Sequence, residues 1–383
     1  MRLRRRAAVT LGGVLALVVG CSDLPDQVLI GVSVAQGHHP GAILAVEEIN
    51  RSGGILGVPV TLYGLGNYRK QVLDARETLD WAQDFADQED LLAVVGHSDS
   101  AATLVTGGLY NQLGLPQIAT VASNASITGL GPWTYRLCLS DDVQGSELAR
   151  YAAADWRKRR SIAVFVNDDY GRALAATFRS SFEARGGEVL DAVPTTELLD
   201  VQDLALVDSV LRRRVAEGFG GEDDVLVLFV RHGQAARILS LLSDLGAPTD
   251  ILGGDALAYP QFARRTEDYG RNVRVTLFFA PDLIGPAATD FVDRYTRRFG
   301  NEPLYGAAYA YDATKLAAHA VALGGFSRQG VREGLESMIR SGEAFPGVTG
   351  DFVLNSNRDA IRPLIIGAPD GGAFRGIQTV AAR

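Results

Sequence analysis

Residues 91–114 read LLAVVGHSDSAATLVTGGLYNQLG. Five apolar residues, a short polar turn (GHSDS, Gly96 to Ser100) and a segment of helical composition follow one another, which is the signature of a buried strand turning into a helix. The same alternation runs on both sides. VLIGVSVA (28–35) precedes the helical GAILAVEEINRSGG (41–54), where Ala42, Ala45, Val46 and Ile49 recur at helical spacing and Gly53 and Gly54 stop the run. VPVTLYG (58–64) and a helix around VLDARETLDWAQDFADQ (72–88) lead into the stretch quoted, and LPQIAT and WTYRLCL follow it. The rhythm restarts at SIAVFVN (161–167) and passes through EVLDAV, DVLVLFV and TDILGG, with helical segments between. Strands separated by helices at this spacing predict right-handed βαβ units and parallel sheets. Two runs, about 28–140 and 141–280, with no long linker predict two packed α/β lobes. After Pro281 the chain is mainly helical, and GDFVLNSNRD with RPLIIGAPDGG predicts two strands about an Asn-rich turn.

The ends and the composition narrow the classes of function. MRLRRRAAVTLGGVLALVVG (1–20) has a positive start and an apolar stretch too short to span a bilayer, so it reads as an export signal. LVVGC resembles a bacterial lipobox, which implies cleavage before Cys21, lipidation of Cys21 and a short tether over 21–27. Without the four leader arginines, 33 basic residues face 45 acidic ones, a net charge near −12. Such a surface does not suit a nucleic-acid backbone, and the local run WRKRR (156–160) reads as a solvated face at a helix end. Cys21 and Cys138 are the two cysteines, and with Cys21 acylated no internal disulfide is expected. Cys138, in YRLCL, reads as a small buried hydrophobe. The five histidines have no metal-ligand spacing, and neither a metal nor a cofactor is expected.

In an open parallel sheet, ligands bind outside the carboxyl ends of the strands. GHSDS lies at one such end, and IATVASNAS, with Thr120, Ser123, Asn124 and Ser126, lies at another. Helix N–H groups and the hydroxyls of Ser98 and Ser100 would seat a carboxylate. Each cluster alone also reads as a helix cap. A serine hydrolase is the competing chemistry. GHSDS lacks the last glycine of a Gly-x-Ser-x-Gly elbow, and the partners available in chain order, Asp168 or Asp169 and His232, fall in the other lobe. His97 is not placed as a base for Ser98.

Over residues 28–375 the chain resembles the leucine/isoleucine/valine-binding family, the type I periplasmic solute-binding proteins of branched-chain amino-acid ABC transporters. The resemblance is carried by GAILAVEEINRSGGILGVPVTL, VVGHSDSAATL, LPQIATVASNASIT, NDDYGRALA, FVDRYTRRFGNEPLYGAAYAYDAT and GVTGDFVLNSNRD, in that order and spacing. It implies two Rossmann-like lobes joined by a hinge around a ligand cleft. Residues 28–140 and 281–346 would form the N-terminal lobe, and 141–280 and 347–383 the C-terminal lobe. By position it implies Ser100 and Ser123 as hydroxyl ligands of the carboxylate, backbone near Val121 as a partner of either charged group, Tyr170 as the second lobe's aromatic, and Asp255 as the acceptor of an ammonium. The turn SVAQGHHPG is shorter than in typical amino-acid binders, so His38 and His39 either fill that wall or lie exposed. Arg231 and His232 imply a polar side-chain pocket, suited to an acidic or amide-bearing ligand. The implied protein is non-catalytic and faces the periplasm or cell surface, anchored through Cys21. It would deliver an amino acid or related solute to an ABC permease. The rival is a lipoprotein sensor or protein-interaction module on the same fold, and a hydrolase is more remote.

Overall fold

The computed structural model describes residues 24–65, 75–247, 249–267, 269 and 271–380. Residues 1–23, with the signal, the start of the tether and Cys21, lie outside these, as do residues 72–74 at the start of one expected helix. Two larger sheets organise the chain. The first runs in the order Val60–Tyr63, Val28–Ser33, Leu91–Gly96, Gln117–Ala119, Thr134–Arg136, parallel throughout. Its strand Leu91–Gly96 is buried at every residue, as an unbroken apolar run inside a sheet covered on both faces must be.

Helix His39–Arg51 buries Ala42, Ala45 and Ile49 and ends before Gly53 and Gly54, whose φ values of 101° and 76° most side chains resist. It packs on helix Tyr305–Gly324 at very short range. A Cβ placed on Gly41 would stand 1.8 Å from the carbonyl oxygen of Ala307. The C-terminal helices thus return to the first sheet, and Arg298 of helix Pro286–Phe299 pairs with Glu47 at 2.8 Å.

The second sheet runs Ala373–Val380, Leu364–Asp370, Val273–Leu277, Ile251–Gly253, Asp224–Phe229, Arg160–Val166, Glu188–Thr195. Five strands are parallel, and the last two in sequence add antiparallel to one edge. Two sequence expectations need correction here. Phe352–Leu354 turns back through Asn355–Asn357 onto Ala360–Ile361, while Leu364–Asp370 pairs with Ala373–Val380, so the two expected strands do not share a ladder. That short ribbon lies on the first sheet's edge, because Asp359 pairs with Arg136 at 2.7 Å and the Arg136 N–H donates to the Arg358 carbonyl. From Leu364 onward the chain joins the second sheet. WRKRR is a solvated face only in part: Arg157 and Arg159 are exposed, but Lys158 is 2% exposed and its ammonium meets Asp250 at 2.6 Å. Cys138 is buried, donates to the Ala122 carbonyl at 3.2 Å, and has its thiol pKa pushed up by burial.

Candidate functional site

Both parallel sheets aim their carboxyl ends at one cavity of about 160 Å³. Each wall is a strand end followed by a helix start. The first sheet contributes Ser98 and Ser100 after Leu91–Gly96, and Val121 and Ser123 after Gln117–Ala119. The second contributes Tyr170 after Arg160–Val166, Arg231 and His232 after Asp224–Phe229, and Asp255 after Ile251–Gly253. All six side chains or backbones read from the sequence as ligand contacts thus meet in one space.

Ser100 is the first residue of helix Ser100–Leu113, whose N-cap is Asp99, with its side chain accepting from the Ala102 N–H at 2.8 Å. The Ser100 hydroxyl accepts from the Asn124 N–H at 3.1 Å, which leaves its proton free to donate into the cavity. Beside it, the carbonyl of Ser123 is held by the Asp141 N–H at 2.7 Å and by the Arg136 guanidinium at 3.1 Å, so the loop Val121–Asn124 is fixed from behind.

Asp255 faces these hydroxyls from the other sheet. It is 4% exposed, and one carboxylate oxygen accepts from the Tyr170 hydroxyl at 3.1 Å and from Gln144 Nε2 at 3.0 Å. Gln144 Oε1 in turn accepts from the Asp255 N–H at 3.0 Å. Burial raises the pKa of Asp255, against the lowering pull of Gln144, Tyr170 and Arg231. A carboxylate held dry in this way is short of a cation.

The same geometry answers the hydrolase reading. The Ser98 hydroxyl accepts from the Ala35 N–H at 3.0 Å. His97 is buried behind it, bonded to Ser33 Oγ at 2.9 Å and Tyr110 OH at 3.3 Å, with its pKa lowered to about 4 by burial. Asp168 caps the next helix at Gly171 N–H (2.8 Å) and pairs with Arg231 at 2.7 Å, while His232 stacks on Tyr259 at 4.5 Å. Among the described residues no hydrogen bond joins Ser98 to a histidine. In GHSDS the Ser98 and Ser100 hydroxyls each accept from a backbone N–H, of Ala35 and Asn124.

Several residues in the cavity wall or behind it were not assigned from the sequence. Gln144 is separated from Asp255 by 111 positions, and no local pattern announces it. Glu197 follows strand Glu188–Thr195, and that strand-end position was the available signal. Tyr259 and Tyr305 pack edge to face at 5.7 Å across the cavity mouth. Both histidines of the short turn are buried, so neither lies exposed. His38 fills the wall against Tyr305, its pKa lowered to about 4 chiefly by burial, and His39 packs inward without lining the cavity.

Two Rossmann-like lobes whose strand ends converge on one polar cavity define a solute-binding protein of the two-lobed type. The chain belongs to the periplasmic binding protein family, whose model matches residues 30–373. It is 31% identical over 322 residues to the amino acid binding protein of Pseudomonas aeruginosa, covering 78% of this chain and 80% of that one. To Leu/Ile/Val-binding protein homolog 1 of Brucella abortus it is 24% identical over 326 residues, 84% of this chain and 82% of the other. The leucine binding protein LivK of Thermotoga maritima superposes with a TM-score of 0.80 at 23% identity, over 92% of this chain and 99% of its own. The type I fold implied by the sequence resemblance is the fold observed.

Proposed function

We propose that this protein captures a free α-amino acid, or a small amide-like solute, outside the cytoplasm and delivers it to an ABC permease without chemical change. One observation carries the reading: a buried carboxylate, Asp255, lines a single cavity with Ser100 at a helix start and Ser123 in the next strand-end loop. An α-amino acid has one cation and one anion a few ångströms apart, and this cavity offers a partner to each. Charge-assisted hydrogen bonds are worth about 1.5–3 kcal/mol apiece, so three or four exceed the cost of association and reach roughly micromolar affinity, near −8 kcal/mol. The relatives named for amino-acid, leucine or Leu/Ile/Val binding support the same class. Because the two charges are answered by different lobes, ligand favours the closed form, and a permease can read that shape. The lobes we assign are residues 28–140 with 281–361, and 141–280 with 363–380. Lipidation at Cys21 would hold the protein at the membrane, and Cys21→Ser should then release it into the soluble fraction.

Thermal-shift and calorimetric titration against free amino acids test the binding, since a ligand of the folded state alone raises Tm. Ser100→Ala should weaken binding by about 1.5–3 kcal/mol. Asp255→Asn should cost roughly 2–5 kcal/mol, because it leaves an ammonium facing a neutral group. Unchanged affinity in both variants would reject the site.

A further inference from the structure

Once the charged groups of an amino acid are placed, the rest of the cavity has no aliphatic wall. Its remaining large side chains are His38, Glu197, Arg231, His232, Tyr259 and Tyr305, and Val121 is the one branched aliphatic residue in the lining among the described residues. A leucine-like side chain would strip water from Arg231, Glu197 and His232 and return no hydrogen bond, which disfavours it.

Arg231 is held in place before any ligand arrives. Its backbone N–H donates to Gln234 Oε1 at 2.7 Å at the start of helix His232–Asp244. Its Nη2 donates to Asp168 Oδ2 at 2.7 Å, and its guanidinium lies over the Tyr170 ring at 5.1 Å. Glu197 Oε1 stands 3.6 Å from its Nε. At this end the lining therefore presents a fixed donor, Arg231, beside an exposed acceptor, Glu197. A carboxylate side chain brings acceptors only and sets one against Glu197. An ammonium or guanidinium brings donors only and sets them against Arg231. A carboxamide brings an acceptor and a donor side by side, and it alone matches both neighbours.

Building on the amino-acid reading above, we propose that the ligand is an α-amino acid whose side chain ends in a carboxamide, with its oxygen accepting from Arg231 and its NH2 group donating to Glu197. His232 and Tyr259, stacked at 4.5 Å, make a flat wall beside that planar group. The imidazole is held neutral toward neutral pH, since burial lowers its pKa.

The test is calorimetric titration of the mature full-length protein with L-glutamine, L-asparagine, L-glutamate, L-lysine and L-leucine. One of the two amides should bind at least ~tenfold tighter than the acid, the base or leucine, because each of those leaves Arg231 or Glu197 unmatched once ligand displaces its water. In Glu197→Gln, with Tm measured alongside to confirm folding, the preference for glutamine over glutamate should shrink by about tenfold, since the acceptor that repels the acid has gone. Leucine, lysine or glutamate binding as tightly as the better amide in the wild type would overturn this inference and leave the amino-acid reading intact. If none of the five binds, this inference falls, while the amino-acid reading is decided by the wider titration against free amino acids.

Discussion

Asp255 shows how a residue can serve a ligand at the expense of the unliganded fold. Its pKa is raised, first of all by burial, so the folded protein disfavours its charged form relative to the unfolded chain. A raised carboxylate pKa means stability that is present in acid and is lost as pH climbs through the folded value. The variant Asp255→Asn keeps an oxygen for Tyr170 and Gln144 but carries no charge. In the absence of ligand its Tm at pH 7 should exceed that of the wild type. That gap should close as pH falls through the raised pKa, where the wild-type carboxyl is itself neutral. Thermal melts between pH 7 and pH 4 decide the matter, and a variant less stable than wild type at pH 7 would contradict it. The same residue was readable in LGGDALAYP as a strand-end acid. Its partner Gln144, brought from helix Asp141–Arg150 of the same lobe, was not, because the bond between them depends on how that helix lies on the sheet.

At the scale of elements, the approach of helix His39–Arg51 to helix Tyr305–Gly324 sets the position of Tyr305 in the cavity wall. Gly41 permits it. Replacing a helical glycine by alanine ordinarily gains up to about 1 kcal/mol of helix propensity. Here the new methyl would stand 1.8 Å from the Ala307 carbonyl oxygen, a backbone atom that cannot swing aside. Overpacking of this kind costs typically about 1–3 kcal/mol and wins over propensity. Gly41→Ala should therefore lower the urea midpoint at an unchanged slope, and an unaltered midpoint would show that the helices can part freely. Elements of this kind were legible wherever a long period of apolar residues backed them, as with Ala42, Ala45 and Ile49. The C-terminal strands were misjudged because a short apolar segment such as LIIG fits any sheet edge, and pairing partners are chosen by what lies beside it in space.

For the molecule as a whole, the two lobes already touch across the cleft through a hydrogen bond beside the proposed ligand site. Asn124 of the first lobe donates from Nδ2 to the carbonyl of Asp169 in the second at 2.7 Å. A bond made only when the lobes approach favours closure, and closure favours ligand. Asn124→Asp keeps the acceptor that receives the Ser126 N–H at 2.9 Å and removes the donor to Asp169. It should weaken ligand affinity by about 0.5–1.5 kcal/mol, a factor of roughly two to ten. Small-angle scattering should show the wild type becoming more compact on saturation with ligand. Equal compaction at equal ligand concentration in the variant would mean that this contact has no share in closure.

The amino-acid order by itself determined the α/β alternation, the two lobes and the strand ends that line the cavity. These follow from periodicity and from residue types at turns, which act over a few neighbouring positions. Tertiary structure alone decided which strand ends share one cavity, that Gln144 and Tyr170 hold Asp255, that Arg231 stands beside Glu197, and that His38 lies inside the wall. Such relations join residues dozens to hundreds of positions apart. They depend on burial and on angles between packed elements, and neither is a property of any local stretch of chain.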